Sequence, residues 1–427
     1  MEELVKKAQD LIDYEAAHNP EIKEILKIVE EFLKKKKVLC YGGTAINNLL
    51  PSEDRFYDPL YDIPDYDFYS MEPQLHALEL ADKFYSVGFR AIEVKPGAHI
   101  MTFKVFVNYT GVADITYLEP PIFEKLWKED FHKEGIHYVS PNFLRMSMYL
   151  ELSRPRGDVS RWSKVYKRLL LLNKHYPIKC IPEEGGFTTI SDGEREKMEH
   201  FLESRNIVLL GIHAADFHSK KKTNVWQVPI DILVEPDKFE KTIQDLSEIF
   251  GEGIEAVNRP YYAELLPEHT DIIYKDSKLL LVRIFKSFAC HSYHKVRDIR
   301  VASIPTLLQF FFAFVYASSH FLEGFDENRI ICICQRLVDL AHSEGKRRFE
   351  LLTPLDCIGH QESLIEIKSN KGTLYDRTPK GSLDFLRLFF SYKPGSYSKT
   401  QKQKLKDRLR KSMKKAHEID ELVTDKI

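Results

Sequence analysis

Three aspartates and a glycine pair are the residues of this sequence whose types and spacing suit chemistry on phosphates. Gly42-Gly43-Thr44 follows the apolar run VLC and leads into AINNLL. Asp65 and Asp67 flank Tyr66 in PDYDFYS, and Asp114 stands among Val112, Ala113, Ile115 and Tyr117. Glycines let the backbone take positive φ and let a ligand come close. A helix opening there, with Thr44 as its N-cap, would aim free N–H groups and a positive dipole end at a phosphate. In a strand, residues i and i+2 share a face, roughly 6–7 Å apart along the chain. Asp65 and Asp67 could therefore jointly hold hard divalent cations such as Mg²⁺. A carboxylate amid apolar neighbours, as Asp114 is, costs free energy unless it has a partner, and a metal ion would supply one. Singly, these are a plain turn and solvated acids; their order and spacing give them weight.

The elements that must position them follow from periodicity. Residues 2–17 and 21–35 read as helices, with apolar positions at Leu4, Ala8, Leu11, Ile12 and at Ile25, Ile28, Val29, Phe32, separated by Asn19-Pro20. A short strand enters the Gly-Gly turn, and a Pro- and Asp-rich loop covers 51–63. After the Asp65/Asp67 strand comes a helix over about 73–87, ended at Gly88, then a strand near 89–94. The runs around Asn108-Tyr109-Thr110-Gly111 read as a hairpin over 100–118. It would set Asp114 on a strand able to pair beside that of Asp65 and Asp67. Strands alternating with helices predict a mixed α/β (α+β) sheet. Beyond it, 141–153 and 159–173 are helical. Arg154, Arg156, Arg161, Lys164, Lys167 and Arg168 crowd together there, a surface for triphosphate or RNA or simply solvated helix faces. Trp162 is a core residue or a base-stacking one.

A Gly-Gly-Thr turn, then Asp-x-Asp, then a lone Asp on a later strand resembles the pattern of polymerase-β-like nucleotidyltransferases. The wording YGGTAINNLLP, PDYDFYS, VADITYLEPP and ELSRPRGDVSRWSKVYKRLLLLN is similar to the poly(A) polymerase catalytic subunits of nucleocytoplasmic large DNA viruses, from about residue 20 to about 175. The resemblance implies a nucleotidyltransferase fold and template-independent addition of AMP from ATP to the 3′ end of mRNA. It implies that Asp65, Asp67 and Asp114 are catalytic and hold two Mg²⁺ or Mn²⁺ ions, with Gly42, Gly43 and Thr44 on the β- and γ-phosphates. Lys164 is carried over as a triphosphate contact by position only, and Arg161 or Lys167 would serve as well. Single-stranded RNA, a homodimeric state, a separate stimulatory subunit as the less favoured arrangement, and a cytoplasmic location are further implications. The alternatives are another RNA terminal nucleotidyltransferase, or a non-catalytic RNA-binding or assembly protein that kept the fold.

The 427 residues, 43% hydrophobic and 30% charged, allow two or three globular domains. We expect a catalytic domain over 1–180, a second α/β domain over 181–390, and a basic helical tail over 391–427. The longest apolar run, LLQFFFAFVYASS, is too short for a membrane span. The six cysteines show no zinc-ligand spacing, and Cys332 and Cys334 in IICICQRL read as buried free thiols of a reducing compartment. Neither His213/His218 nor His291/His294 has a third metal ligand at a characteristic spacing. From Lys393 to Lys415 there are ten Lys or Arg against Asp407, a net of +9, so the rest of the chain, whose total is −2, carries −11. Such a tail suits a phosphate backbone, while Leu405, Leu409 and Met413 at i+4 spacing would dock it on the body. Finally, SRNIVLLGIHAADF echoes KKKKVLCYGGTAIN, and VPIDILVEPD echoes VADITYLEPP, which aligns Asp231 with Asp114. The second copy would lack both the Gly-Gly turn and an Asp-x-Asp, and would be chemically dead.

Overall fold

In the computed structural model, the structure describes residues 1–181, 188–219, 226–263, 265–317, 326–343 and 354–425. The chain divides into two compact units, residues 1–144 with 364–426, and residues 145–363.

In the first unit, helices α1 (Glu2–His18) and α2 (Pro20–Lys35) are separated by Asn19, whose side chain accepts the Glu21 N–H and caps α2. The α2 stripe Ile25, Ile28, Val29, Phe32 is buried, whereas Leu4, Leu11 and Ile12 of α1 stay exposed. Strand β1 (Leu39–Tyr41) runs directly into α3 (Gly42–Leu49). Strand β2 (Tyr66–Ser70), helix α4 (Pro73–Ser86) and strands β3 (Ile92–Pro96), β4 (Thr102–Val107) and β5 (Thr110–Tyr117) follow. The sheet order is β1-β2-β5-β4-β3, and β2 and β5 are its parallel pair. Asn108 and Tyr109, both at positive φ, make the two-residue turn between β4 and β5, a geometry whose twist suits a hairpin. The side chains alternate as period two demands. Tyr66, Phe68, Val94, Phe103, Val105, Ala113 and Ile115 are buried on one face, against which α2 and α4 pack. Each large apolar side chain so buried contributes about 2 kcal/mol. Asp67, Tyr69, Lys104, Phe106, Asp114 and Thr116 fall on the opposite, partly open face. Helix α5 (Pro120–Lys128) and the ribbon β6 (His132–Lys133) and β7 (Ile136–His137) complete this stretch, and α6 (Pro141–Leu152) starts in it and continues into the second unit.

The second unit carries α7 (Trp162–His175), α8 (Asp192–Ser204), β8 (Val208–Leu209), α9 (Gly211–His218), β9 (Ile230–Val234), α10 (Phe239–Phe250) and β10 (Ile254–Arg259). Strands β11 (His269–Tyr274), β12 (Leu280–Lys286), β13 (His291–Val296) and β14 (Ile299–Ala302) come next. Within its eight-stranded sheet the run β8-β9-β12-β11-β10 repeats the order of the first sheet, again with one parallel pair, β9 with β12. The connecting helices repeat as well, α9 for α3 and α10 for α4. All thirteen residues of α11 (Ile304–Tyr316) are buried: the apolar run is an interior helix, and no described helix is long and apolar enough to cross a membrane. Helix α12 (Glu327–Ser343) and β15 (Cys357–Ile358) end this unit. Cys332 is bonded to Cys180 and Cys290 to Cys357. Cys332 is thus not the free thiol expected from its apolar setting; Cys40 and Cys334 are free and buried.

The chain returns to the first unit through α13 (Leu364–Arg377), α14 (Leu383–Phe389) and the basic α15 (Lys399–Asp425). Tyr392 forms a backbone bridge with Val94 on the outer edge of β3. Leu409 and Met413 of α15 are buried, and Lys402 and Lys406 reach Asp82 and Glu79 of α4. The apolar stripe docks the helix, while Lys399, Lys404, Arg408, Arg410, Lys411 and Lys414 remain exposed.

Candidate active site

Register builds the site. Tyr41 pairs with Asp67 across β1 and β2, Asp67 with Asp114 across the parallel β2 and β5, Asp114 with Lys104 across β5 and β4, and Lys104 with Lys95 across β4 and β3. Paired residues share a face and strands lie about 4.8 Å apart, so these five side chains form one row across the open face. Asp65 stands two residues before Asp67, immediately ahead of the strand. The structure brings all three aspartates to this end of the β2/β5 pair, as the hairpin reading expected.

Gly42 sits at φ +74°, and a Cβ there would come within 2.9 Å of Asp67 Oδ2. The left-handed backbone and the missing side chain let the start of α3 lie directly against the carboxylate. Gly43 is the second residue of that helix. Thr44 is not the N-cap: Tyr41 precedes the helix, and Thr44 lies inside it, buried, its hydroxyl donating to the Asp65 carbonyl at 2.6 Å. Its proton thus pins the backbone of Asp65, a positioning task in place of the capping one.

The electrostatics of the row are tense. Lys104 Nζ donates to Asp114 Oδ2 at 2.5 Å. Partial withdrawal from water raises the Asp65 carboxyl above its ordinary range, and the Asp114 charge adds to this while Lys104 opposes it. Burial, reinforced by Asp67, pushes up both the Cys40 thiol and the Tyr41 phenol. Tyr41 stacks on Tyr69 and shares a hydrogen bond with Thr116. Three carboxylates meet here, with the Lys104 ammonium paired to one of them. Their hard oxygen donors suit a divalent ion, and the Lys104 ammonium stands where a cation is needed by Asp114. Among the described residues, however, no three acidic, His or Cys side chains are already gathered closely enough to share one ion. Lys104 is the residue sequence reasoning missed. The signal was its place in TFKVFV, a lone cation on the parity opposite Phe103 and Val105.

The second unit corrects the alignment of the sequence echo. Gly211 is at φ +66°, and a Cβ there would meet Asp231 Oδ2 at 2.3 Å. Asp231 lies on β9 and therefore matches Asp67, not Asp114, and the first glycine of the turn survives. Its partner across the parallel pair is Arg283, at the place of Asp114. Arg283 donates to both Asp231 oxygens at 2.6 and 3.1 Å, and Asp271, at the place of Lys104, accepts from Arg259 at 3.0 Å. Burial works against the Arg283 charge, but Asp231, together with Asp271, more than offsets it. A built-in guanidinium thus sits where the first unit gathers carboxylates. The apolar-Asp-apolar pattern occurs on both strands of such a pair, which is why the echo slipped from β2 to β5.

Lys164 lies on α7 in the second unit, exposed. The charge of Arg168 lowers its ammonium, followed by burial and by Arg161, with Glu151 opposing. Trp162 is half-buried and donates its indole N–H to the Glu151 carbonyl. Two of the paired histidines make protein hydrogen bonds, His213 to the Gln227 carbonyl and His218 to that of Ala302, whereas both ring nitrogens of the buried His291 have no hydrogen-bond partner among the described residues.

Comparison with known proteins bears out the resemblance carried by the motifs. Residues 27–158 match the family of the poly(A) polymerase catalytic subunit. A protein of African swine fever virus named "Putative poly(A) polymerase catalytic subunit" is 32% identical over 184 residues, which are 42% of this chain and 38% of that protein. A protein of Acanthamoeba polyphaga mimivirus with the same name is 29% identical over 210 residues, 46% of this chain and 35% of its own length. The sequence match thus spans well under half of these relatives. The fold match is broader: the Megavirus polyadenylate synthase superposes with a TM-score of 0.77 at 20% identity, covering 96% of this chain and 88% of that one. By sequence over residues 27–158 this chain is similar to viral poly(A) polymerase catalytic subunits, and by fold over nearly its whole length to the Megavirus polyadenylate synthase.

Proposed function

We propose that the chain is a template-independent poly(A) polymerase, which transfers AMP from ATP to the 3′-hydroxyl of single-stranded RNA and releases pyrophosphate. The observation that carries this reading is the registered pair Asp67–Asp114 on adjacent parallel strands, with the start of α3 against Asp67. Asp65, Asp67 and Asp114 would hold divalent ions, Mg²⁺ or Mn²⁺ and two by the resemblance, which when bound acidify the attacking hydroxyl and neutralise the leaving pyrophosphate. The chain's own residues do the rest. Backbone N–H groups at Gly42 and Gly43 face the triphosphate with the positive end of α3. Thr44 fixes Asp65 through its backbone. Asp114 takes the hydroxyl proton, directly or through water, once Lys104 releases it, and Lys104 is then free to pair with a phosphate. The cluster of Arg161, Lys164 and Arg168, whose two guanidiniums both lower the Lys164 ammonium, suits a polyanion, and Lys164 remains our choice for a triphosphate contact. The second unit, with Arg283 in place of a third aspartate, serves as RNA surface or subunit interface and does no chemistry.

The test is incubation with a labelled oligoribonucleotide, a divalent cation and each NTP in turn. A long ladder with ATP alone, reduced about a thousandfold or more in Asp65→Ala and Asp67→Ala, is the expected result. Single additions would assign another terminal transferase, and binding without extension would assign a non-catalytic RNA-binding protein.

A further inference from the structure

The catalytic row does not stop at Lys104. It continues to Lys95 on the edge strand β3, whose backbone lies roughly 10 Å, two strand spacings, from that of Asp114. There the open face runs into a groove of about 400 Å³ lined by Tyr85, Arg90, Lys95, Phe106, Tyr109 and Lys393, among others. Its chemistry differs from that of the three aspartates. Three cations stand against one carboxylate, Glu93, which pairs with Lys95 at 2.7 Å and Lys393 at 3.4 Å. The lysines hold the Glu93 carboxyl below its usual range, that of Lys95 foremost. The aromatic rings are interleaved with these charges. The Arg90 guanidinium lies 4.7 Å from the centre of the Tyr85 ring, and Lys95 Nζ lies 5.8 Å from that of Phe106. Tyr109, at the tip of the β4–β5 turn, is 92% exposed. Burying a ring is favourable, so one held this far into water at a hairpin tip offers a face to something outside the chain. Beyond Lys393 the groove is lined by Pro394, Gly395 and Ser396, and three residues later the chain enters α15 with its exposed lysines and arginines.

We propose that this groove binds single-stranded RNA upstream of the reacting 3′ end, its phosphates on Arg90, Lys95 and Lys393 and its bases on Tyr109 and Phe106. Rings alternating with cations along an edge are what a sequence-tolerant single-strand site requires, because every base has a π-face and every nucleotide a phosphate. The proposal rests on the polymerase reading for the end of the RNA that reacts.

The test measures binding and extension in the full chain carrying Tyr109→Ser together with Lys393→Glu. Both side chains are largely exposed, and an unchanged melting temperature verifies the fold. Fluorescence anisotropy follows oligoribonucleotides of about 16 and about 4 nucleotides across a salt series. We expect the longer RNA to bind at least tenfold more weakly, with a salt slope shallower by about one or more. Its KM rises in proportion, while kcat and the KM of the short primer stay put. Equal affinity and salt slope in variant and wild type would overturn the proposal and leave the polymerase reading standing. Unchanged RNA binding with altered sedimentation would overturn it in favour of a second copy of the chain in the groove. A wild-type protein that neither binds nor extends RNA would sink the polymerase reading as well.

Discussion

At the scale of residues, the two units carry opposite solutions to one problem, charge on a parallel pair of strands. In the first unit, Asp114 is neutralised by Lys104 at 2.5 Å and Asp65 is left with a raised carboxyl pKa. Asp65→Asn removes a repelling charge, so thermal unfolding should show stability unchanged or slightly raised, while activity is lost. Lys104→Gln removes the cation that competes for Asp114, and metal titration should show several-fold tighter divalent-ion binding. Gly42→Ala forces a Cβ into a left-handed backbone and against Asp67, which costs about 1–2 kcal/mol and displaces the carboxylate. A loss of at least tenfold in kcat/KM is the expected result, and an active, equally stable Gly42→Ala protein would refute the close approach. These residues were legible in the sequence because Gly-Gly-Thr and Asp-x-Asp are local patterns. Lys104 was not, since its meaning depends on a register that only the paired strands define. Thr44 was misread as a cap because the helix starts at Gly42, with Tyr41 as its N-cap, three residues earlier than N-cap preference suggests.

At the scale of elements, the β-α-β frame that holds the site is stabilised from its buried face, and its pH response follows from there. His76, at the start of α4, is hydrogen-bonded to Ser70 of β2, and burial lowers its imidazole to about 4, with Lys36 adding to this and Glu79 opposing. The neutral form is thus the one the fold accepts, whereas an unfolded chain protonates below its ordinary pKa of about 6.5. Stability is fully present above about 6.5 and falls as pH drops toward 4, by up to roughly 3 kcal/mol from this group. Denaturant melts across that window measure it, and His76→Gln should flatten the slope. In the second unit, Arg283→Met strands the Asp231 carboxylate in a buried strand and should cost about 3–5 kcal/mol. Polar truncation at the equivalent first-unit position, Asp114→Asn, should cost far less because that face is partly open. The β4–β5 hairpin and the place of β5 beside β2 followed from alternation and turn residues, whereas the full order of the first sheet needed the pairing itself. The repeat in the second unit was visible only as an echo, misaligned from one strand of the parallel pair to the other, because short apolar strands around an aspartate look alike until their pairing partners are known.

At the scale of the whole molecule, the charge segregation noted in the sequence acquires a structure: α15 docks through Leu409 and Met413 and keeps a row of cations in solvent. The covalent frame is checkable too. With Cys180–Cys332 and Cys290–Cys357 formed and Cys40 and Cys334 free, denatured but unreduced protein should show two reactive thiols, and reduced protein all six cysteines. Six thiols before reduction would contradict the pairing. The cysteine pairing escaped the sequence because its partners lie 152 and 67 residues apart and no spacing rule connects them. The measurement to make first is Mn²⁺ binding by electron paramagnetic resonance, with a non-hydrolysable ATP analogue, in the wild type, Asp67→Asn and Asp114→Asn. Bound Mn²⁺ in the wild type that is lost in both variants would establish the β2/β5 carboxylates as the metal centre. Binding retained in both would place the metal elsewhere and contradict the site described for this chain.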